Sequence, residues 1–251
     1  MSDSRWNTAP RGYAGQAAAV DAGLRAYMIR VYNYMAAAVA LSGAVAYATF
    51  NAAVTTDATG KIVALTSFGQ TIFSGPAMIV LMLGTLGLVM FISFRIQSLQ
   101  FTTALTLFMV YAAVLGVALS PIFLTYTGTS ITRVFFVSAA SFGALSLYGY
   151  TTQRDLSPMG SFLIMGLFGI IIASLVNLFL HSSGLQWVIS VLGVGIFAGL
   201  TAYDTQRIKE MYSSAYDDGT IGRMAVMGAL SLYLDFINLF LYLLRFMGDR
   251  R

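Results

Sequence analysis

Of the ten acidic residues in this 251-residue chain, two stand apart from the rest. Asp204 falls at the edge of a long apolar run and Asp235 falls within another, whereas the other acids lie in tails and connections. An ionised carboxylate near the centre of a bilayer costs about 2.5–3.5 kcal/mol on insertion scales, so such residues persist where they pair, bind a cation or take up a proton. Asp235 lies roughly 16 Å along a helix from Met224 at 1.5 Å per residue, near mid-membrane. Ser231, Asp235, Asn238 and Tyr242 recur at helical spacing and share one face, while Leu232, Leu234, Phe236, Ile237, Leu239 and Phe240 supply apolar surface. Asp204 has Thr201 and Thr205 on its own side of its run. Two carboxylates in one dry pocket resist joint ionisation, so they would share a proton or take a cation between them. Calcium suits that donor set because it prefers oxygen ligands. Arg95, at the end of the second apolar run, is the candidate cation at comparable depth. It would also serve as an ordinary charge at a span end.

The elements that must position these groups are membrane spans. Hydrophobic residues make up 58% of the chain and charged residues 10%, with a mean hydropathy of +0.77. A soluble domain carries roughly 25% charged residues, so lipid must cover most of this surface. Seven windows reach the roughly 20 apolar residues that a spanning helix needs. They run over Val31–Phe50, Pro76–Phe94, Thr103–Phe123, Thr132–Tyr150, Phe162–Leu180, Gln186–Tyr203 and Met224–Phe246. The expected fold is therefore an all-α seven-helix membrane bundle. Residues 1–24 read as a mobile, Ala/Gly-rich tail, and residues 25–251 as one membrane domain. Gly84/Gly87 and Gly195/Gly199 are expected to let helix backbones approach closely, Asn177 to bond between helices, and Trp187 to mark an interface.

Seven spans place the N-terminus and the even-numbered connections on one side. That side holds Arg5, Arg11, Arg25, Arg30, Arg95, Arg154, Arg207, Lys209 and Arg223, against Lys61, Arg133, Arg245, Arg250 and Arg251 on the other. Nine against five predicts a cytoplasmic N-terminus in an inner (plasma) membrane. The basic C-terminal tail pulls the other way, and a seventh helix that dips in and returns would relieve the conflict. A short match links Tyr150-Thr151-Thr152-Gln153-Arg154 to Tyr203-Asp204-Thr205-Gln206-Arg207, with Asp204 standing where the earlier copy has Thr151.

Composition also excludes chemistry. With no cysteine there is no disulfide, thiolate metal site or cysteine nucleophile, and one histidine, His181, is too few for ordinary zinc ligation. His181 lies near the far face, away from any serine it might activate, and reads as an interfacial residue. No His-Glu-x-x-His run is present, and Lys61 and Lys209, the two lysines, lie in connections. The net charge of +4 is spread over short loops and gives no case for nucleic acid. The expectation is a protein that is not an enzyme and holds no cofactor, with lipid, protons and calcium as its partners.

Two stretches carry a family resemblance. Phe197-Ala198-Gly199-Leu200-Thr201-Ala202-Tyr203-Asp204-Thr205-Gln206 and Leu234-Asp235-Phe236-Ile237-Asn238-Leu239-Phe240 resemble the signature of the Bax inhibitor-1 (transmembrane Bax inhibitor motif) family. Leu147-Tyr148-Gly149-Tyr150-Thr151-Thr152, with Arg154-Asp155-Leu156-Ser157, resembles its bacterial branch. The resemblance covers the chain from about Leu24. It implies a last helix at the centre of six others and a pH-sensitive calcium leak. It also implies that Asp204 and Asp235 are a hydrogen-bonded proton sensor, with Arg95 as the contacting arginine. The alternative is a membrane-embedded regulatory protein that acts on another membrane protein, such as a quality-control protease, with the aspartates serving packing alone.

Overall fold

Inside lipid each backbone N–H and C=O must find a partner within the protein, and a chain this apolar satisfies that with helices. The computed structural model describes residues 11–57 and 61–251, with side chains placed from residue 21 onward. Along the chain run α1 (Arg11–Ala53), β1 (Val54–Thr56), β2 (Ile62–Leu65), α2 (Ser67–Ile72), α3 (Gly75–Arg95), α4 (Phe101–Leu119), α5 (Ile122–Thr125), α6 (Gly128–Thr151), α7 (Ser157–Leu180), α8 (Ser183–Met211) and α9 (Asp218–Met247). Among the described residues, seven helical segments are long and apolar enough to cross a membrane. They coincide with the seven expected windows.

The ends differ from expectation for local reasons. α1 begins at Arg11, so residues 11–24 are helical where a tail was expected; residues 1–10 of that expected tail lie outside the described residues. α8 runs past Tyr203 to Met211, and α9 starts at Asp218, ahead of Met224. Both extensions are polar helical turns that hydropathy cannot register. The long connection after α1 holds a two-stranded antiparallel hairpin, Val54 opposite Leu65, followed by the short α2. Capping hydroxyls set several helix starts: Thr66 accepts from the Gly69 amide, Ser74 from Ala77, Thr127 from Ser130 and Ser182 from Leu185. Pro121 follows the end of α4 and separates it from α5. Between α7 and α8 the chain turns in two residues. His181 takes a left-handed conformation (φ 48°), and the Asn177 side chain accepts from the Ser182 amide and donates to Gln186 on α8. Asn177 thus makes the interhelical bond expected of it.

α9 is the most enclosed of the seven. Of its apolar window 67% is buried, against 39% or less in each of the others. It packs against α1, α4, α6 and α8, while α3 lies on α4 and α7 lies on α8. Four helices, rather than the six expected, form its principal surroundings. Three close approaches draw this core together. A Cβ on Gly116 would meet the Ser42 carbonyl oxygen at 2.6 Å, one on Gly149 would strike the Ala202 carbonyl, and one on Gly193 would lie 2.5 Å from the Tyr242 ring. Of the glycine pairs expected to do this, Gly199 does, against Leu163. Gly84, Gly87 and Gly195 face open space, because α3 and that side of α8 are turned outward.

The last helix does not dip and return. α9 is continuous over Asp218–Met247, and the tail beyond it is pinned beside the start of α6. Thr127 donates its amide to the Asp249 carbonyl, Arg251 to the Thr125 carbonyl, and Arg250 forms a β-bridge with Tyr126. The C-terminus therefore lies at the end of the bundle opposite the α6–α7 and α8–α9 connections.

Candidate proton and cation site

The site is built where α8 and α9 face one another below their connection. Asp217 caps α9, its carboxylate accepting from the Thr220 amide at 3.0 Å and from the Thr220 hydroxyl at 2.6 Å. These bonds hold the exposed Asp217 carboxyl below the usual carboxylate range. From that start the helix runs inward with Ser231, Asp235, Asn238 and Tyr242 in register. Asp235 is 4% exposed, in a stretch of α9 where Leu232, Tyr233, Phe236 and Leu239 are also buried. Asp204, on α8, is half-buried.

The two carboxyl groups meet in a side-chain hydrogen bond. An ionised carboxylate only accepts, so this bond requires a proton on one of the two. Oδ2 of Asp235 is enclosed and receives no hydrogen bond from any amide or hydroxyl donor among the described residues. A buried unpaired acceptor is costly, which marks this oxygen as one that a proton or a cation would relieve.

Access to the pair comes from one side. A cleft of about 770 Å³ opens at the α8–α9 connection and is lined by Asp204, Arg207, Glu210, Thr220, Arg223 and Ser231, among others. Asp204 forms part of its wall; Asp235 does not. A second cleft, of about 910 Å³, enters from the opposite end between α3, α7, α8 and α9, and reaches Ile189 and Ser190. Between Ser231 at the inner end of the first and Arg245 in the second lies roughly 20 Å of α9 at 1.5 Å per residue. That stretch contains Asp235, Asn238 and Tyr242. Tyr242 stacks on Phe197 with ring centroids 5.7 Å apart and lies flat over Gly193. The two clefts are thus separated along α9 by the aspartate pair at one level and by an aromatic stack at another.

The remaining expected residues are distributed unevenly around the pair. Ser231 lines the cleft. Thr201 is fully buried, and its hydroxyl donates to the Phe197 carbonyl at 2.8 Å, a backbone contact within α8. Asn238 donates to the Leu234 carbonyl at 2.8 Å. Arg95 is exposed at the last turn of α3 and is not among the cleft-lining residues, although Ser93 and Gln97 beside it are. The charge acting on Asp204 comes from Arg207, one turn along the same helix. Among the described residues, no three His, Asp or Glu side chains converge on a point. Calcium takes six to eight oxygens, so the pair alone offers a passing ion a partial shell.

Sequence reasoning overlooked the framework that holds α8 in place. Gln206 accepts from the Leu156 amide and donates to the Arg154 carbonyl, both at 2.8 Å, and Lys209 donates to the Tyr150 carbonyl while lying over the Tyr150 ring. Behind Asp204, hydroxyls link three helices: Tyr32 to Ser146 at 2.6 Å and Ser146 to Thr205 at 2.9 Å. The matched segments around Tyr150 and Tyr203 were the available signal, since they lie side by side. The first ends its helix at Thr151 and the second continues to Met211.

Comparison with known proteins places the chain in a family. The family model described as "Inhibitor of apoptosis-promoting Bax1" matches residues 24–251. The chain belongs to the Bax inhibitor-1 family. Relatives of this family chain are similar over nearly their full lengths. The uncharacterized protein RP147 of Rickettsia prowazekii is 50% identical over 231 residues, covering 92% of each chain. The inner membrane protein YbhL of Escherichia coli K12 is 44% identical over 232 residues, covering 92% of this chain and 94% of its own. The uncharacterized membrane protein SpyM3_0260 of Streptococcus pyogenes is 37% identical over 229 residues, covering 91% and 94%. The last two are named as membrane proteins, which fits the seven apolar helices of this chain.

Proposed function

We propose that this Bax inhibitor-1 family protein is a pH-sensitive calcium leak of the inner membrane, gated by the protonation state of Asp204 and Asp235. The observation that carries the reading is the carboxyl-to-carboxyl contact between α8 and α9 at the inner end of a water-accessible cleft. A contact that needs one proton is sensitive to losing it: two facing negative charges in a dry site repel, and the helices that bear them must adjust or admit a cation. The cleft that reaches Asp204 and the cleft that enters from the other end flank the same helix pair. Rearrangement of α8 against α9 therefore acts on the barrier between them, a local charge change with a global readout. Glu210 and Asp204 in the first cleft supply acidic oxygens to an incoming calcium ion, with Arg207 and Arg223 limiting the local negative charge. In this reading calcium is the cargo and no cofactor takes part. The N-terminus and the first cleft face the cytoplasm, in line with the balance of basic residues.

The test is calcium flux into proteoliposomes of purified protein across pH, for the wild type, Asp204→Asn and Asp235→Asn. Both substitutions keep the side-chain shape and remove the titrating group. The expected outcome is a pH-dependent flux in the wild type that is flattened in each variant. An unaltered pH profile in both variants would discard the mechanism. A wild-type protein without flux that co-purifies with a membrane protease would favour the regulatory reading.

A further inference from the structure

The second cleft has a chemistry that the leak does not use. Its walls divide by polarity. Leu178 and Trp187 lie toward the lipid and are largely exposed, while Asn177 and Gln186 are fixed by their mutual bond at 3.3 Å. Arg245 and Arg250 also line it. Arg245 leaves the last turn of α9 with its guanidinium over the Tyr242 ring, 5.5 Å from the centroid. Arg250 is held in place by the backbone bridge to Tyr126. The carboxylate nearest in sequence, Asp249, turns away toward Arg133 on α6, at 3.7 Å. Among the described residues, neither Arg245 nor Arg250 has an acidic partner.

The C-terminus of α9 favours a cation in its last turn, which accounts for Arg245. It does not account for a second arginine, pinned beside the first at the mouth of a cleft with an apolar, lipid-facing wall. Both also lie on the side of the membrane where basic residues are the less expected. Guanidiniums without an acidic partner beside apolar surface at the end of a membrane span match a phosphodiester with attached acyl chains, since guanidinium binds phosphate through paired hydrogen bonds.

We infer that the cleft between α3, α7, α8 and α9 is a binding site for an anionic phospholipid, with its phosphate between Arg245 and Arg250 and its acyl chains along Leu178 and Trp187. A lipid seated there would engage Arg245, whose guanidinium lies over the Tyr242 ring. The inference stands apart from the leak reading, because it concerns retention of a lipid and not flux.

The experiment is native mass spectrometry of the full chain released from micelles doped with equal amounts of phosphatidylglycerol and phosphatidylcholine. Wild type is compared with Arg245→Gln, Arg250→Gln and the double variant, and with Arg30→Gln as a loss of the same charge at the other end. The expected result is preferential retention of phosphatidylglycerol by wild type and by Arg30→Gln. Each cleft substitution should weaken it by about fivefold, as roughly expected for one cation near an anionic surface. Equal retention of both lipids by wild type, or an unchanged preference in the double variant, overturns the inference. Displacement of phosphatidylglycerol by millimolar inorganic phosphate would also overturn it, since the site would then bind phosphate without the lipid.

Discussion

Asp204 and Asp235 touch each other across α8 and α9 from two different environments: Asp204 lines a water-accessible cleft, and Asp235 is buried, 4% exposed, outside that cleft. A proton held between them would reach bulk water through Asp204. The enclosed oxygen that no amide or hydroxyl donor reaches belongs to Asp235.

That asymmetry predicts different reactivity at the two positions. The chain has no cysteine, so single substitutions read without background. Asp204→Cys should react with a small water-soluble thiol reagent, and Asp235→Cys should react far more slowly in the closed protein. Equal labelling rates would show that the cleft extends past the pair. Ser98→Cys and Thr129→Cys should label from opposite membrane faces in inverted and right-side-out vesicles, with Ser98→Cys on the cytoplasmic face.

The aromatic stack should act as a separate barrier. Tyr242→Ala removes the ring that covers Gly193 and stacks on Phe197. Its expected effect is a raised calcium leak at every pH, with the pH dependence retained because the aspartates are intact. A leak equal to wild type throughout would place the barrier elsewhere.

Packing predicts a contrast between glycines. Gly149→Ala drives a methyl into the Ala202 carbonyl and should lower stability by about 1–3 kcal/mol, as overpacking does. Gly84→Ala meets open space and should be neutral or stabilising by up to about 1 kcal/mol, the ordinary gain of Ala over Gly in a helix. Thermal melting in detergent separates the two.

Gln206→Ala should be more damaging than its position in a polar helix turn suggests. It strands the Leu156 amide and the Arg154 carbonyl, at a cost of about 1–3 kcal/mol. The α6–α7 connection should then exchange its amide hydrogens faster than the rest of the protein.

The start of α9 should loosen in acid. The folded-state pKa of Asp217 is lowered, first by its bond from the Thr220 hydroxyl and then by that from the Thr220 amide. Its contribution is therefore present above the unfolded carboxyl pKa and is lost as pH falls through the folded value. The protection factor of the Thr220 amide, its exchange rate corrected for the intrinsic pH dependence, should fall at acidic pH in the wild type, and Asp217→Asn should remove that dependence.

Much of this was legible in the residues themselves. The seven spans follow from apolar length, and Asp235 follows from the cost of an acid in lipid and from its polar neighbours at helical spacing. What was not legible depended on side-chain direction. Arg95 and Arg207 lie on the same expected side of the membrane, but composition cannot tell that one leaves its helix outward while the other acts on Asp204. Gly84 and Gly149 read alike in sequence and differ in whether a neighbouring backbone arrives. The polar ends of α8 and α9 were cut short because hydropathy follows lipid contact, and helices continue past it.

The β-bridge between Arg250 and Tyr126 has a mechanical consequence. It moors the last helix at its far end through backbone hydrogen bonds, whereas the near end is held by side-chain packing, Gly222 on Phe101 and Gly228 on Ile208, and by the connection 212–217. A rod tethered at one tip can swing only at the other. Whatever displacement α9 undergoes must therefore grow with distance from that mooring, and the acid pair lies on the part of the rod that is left to travel.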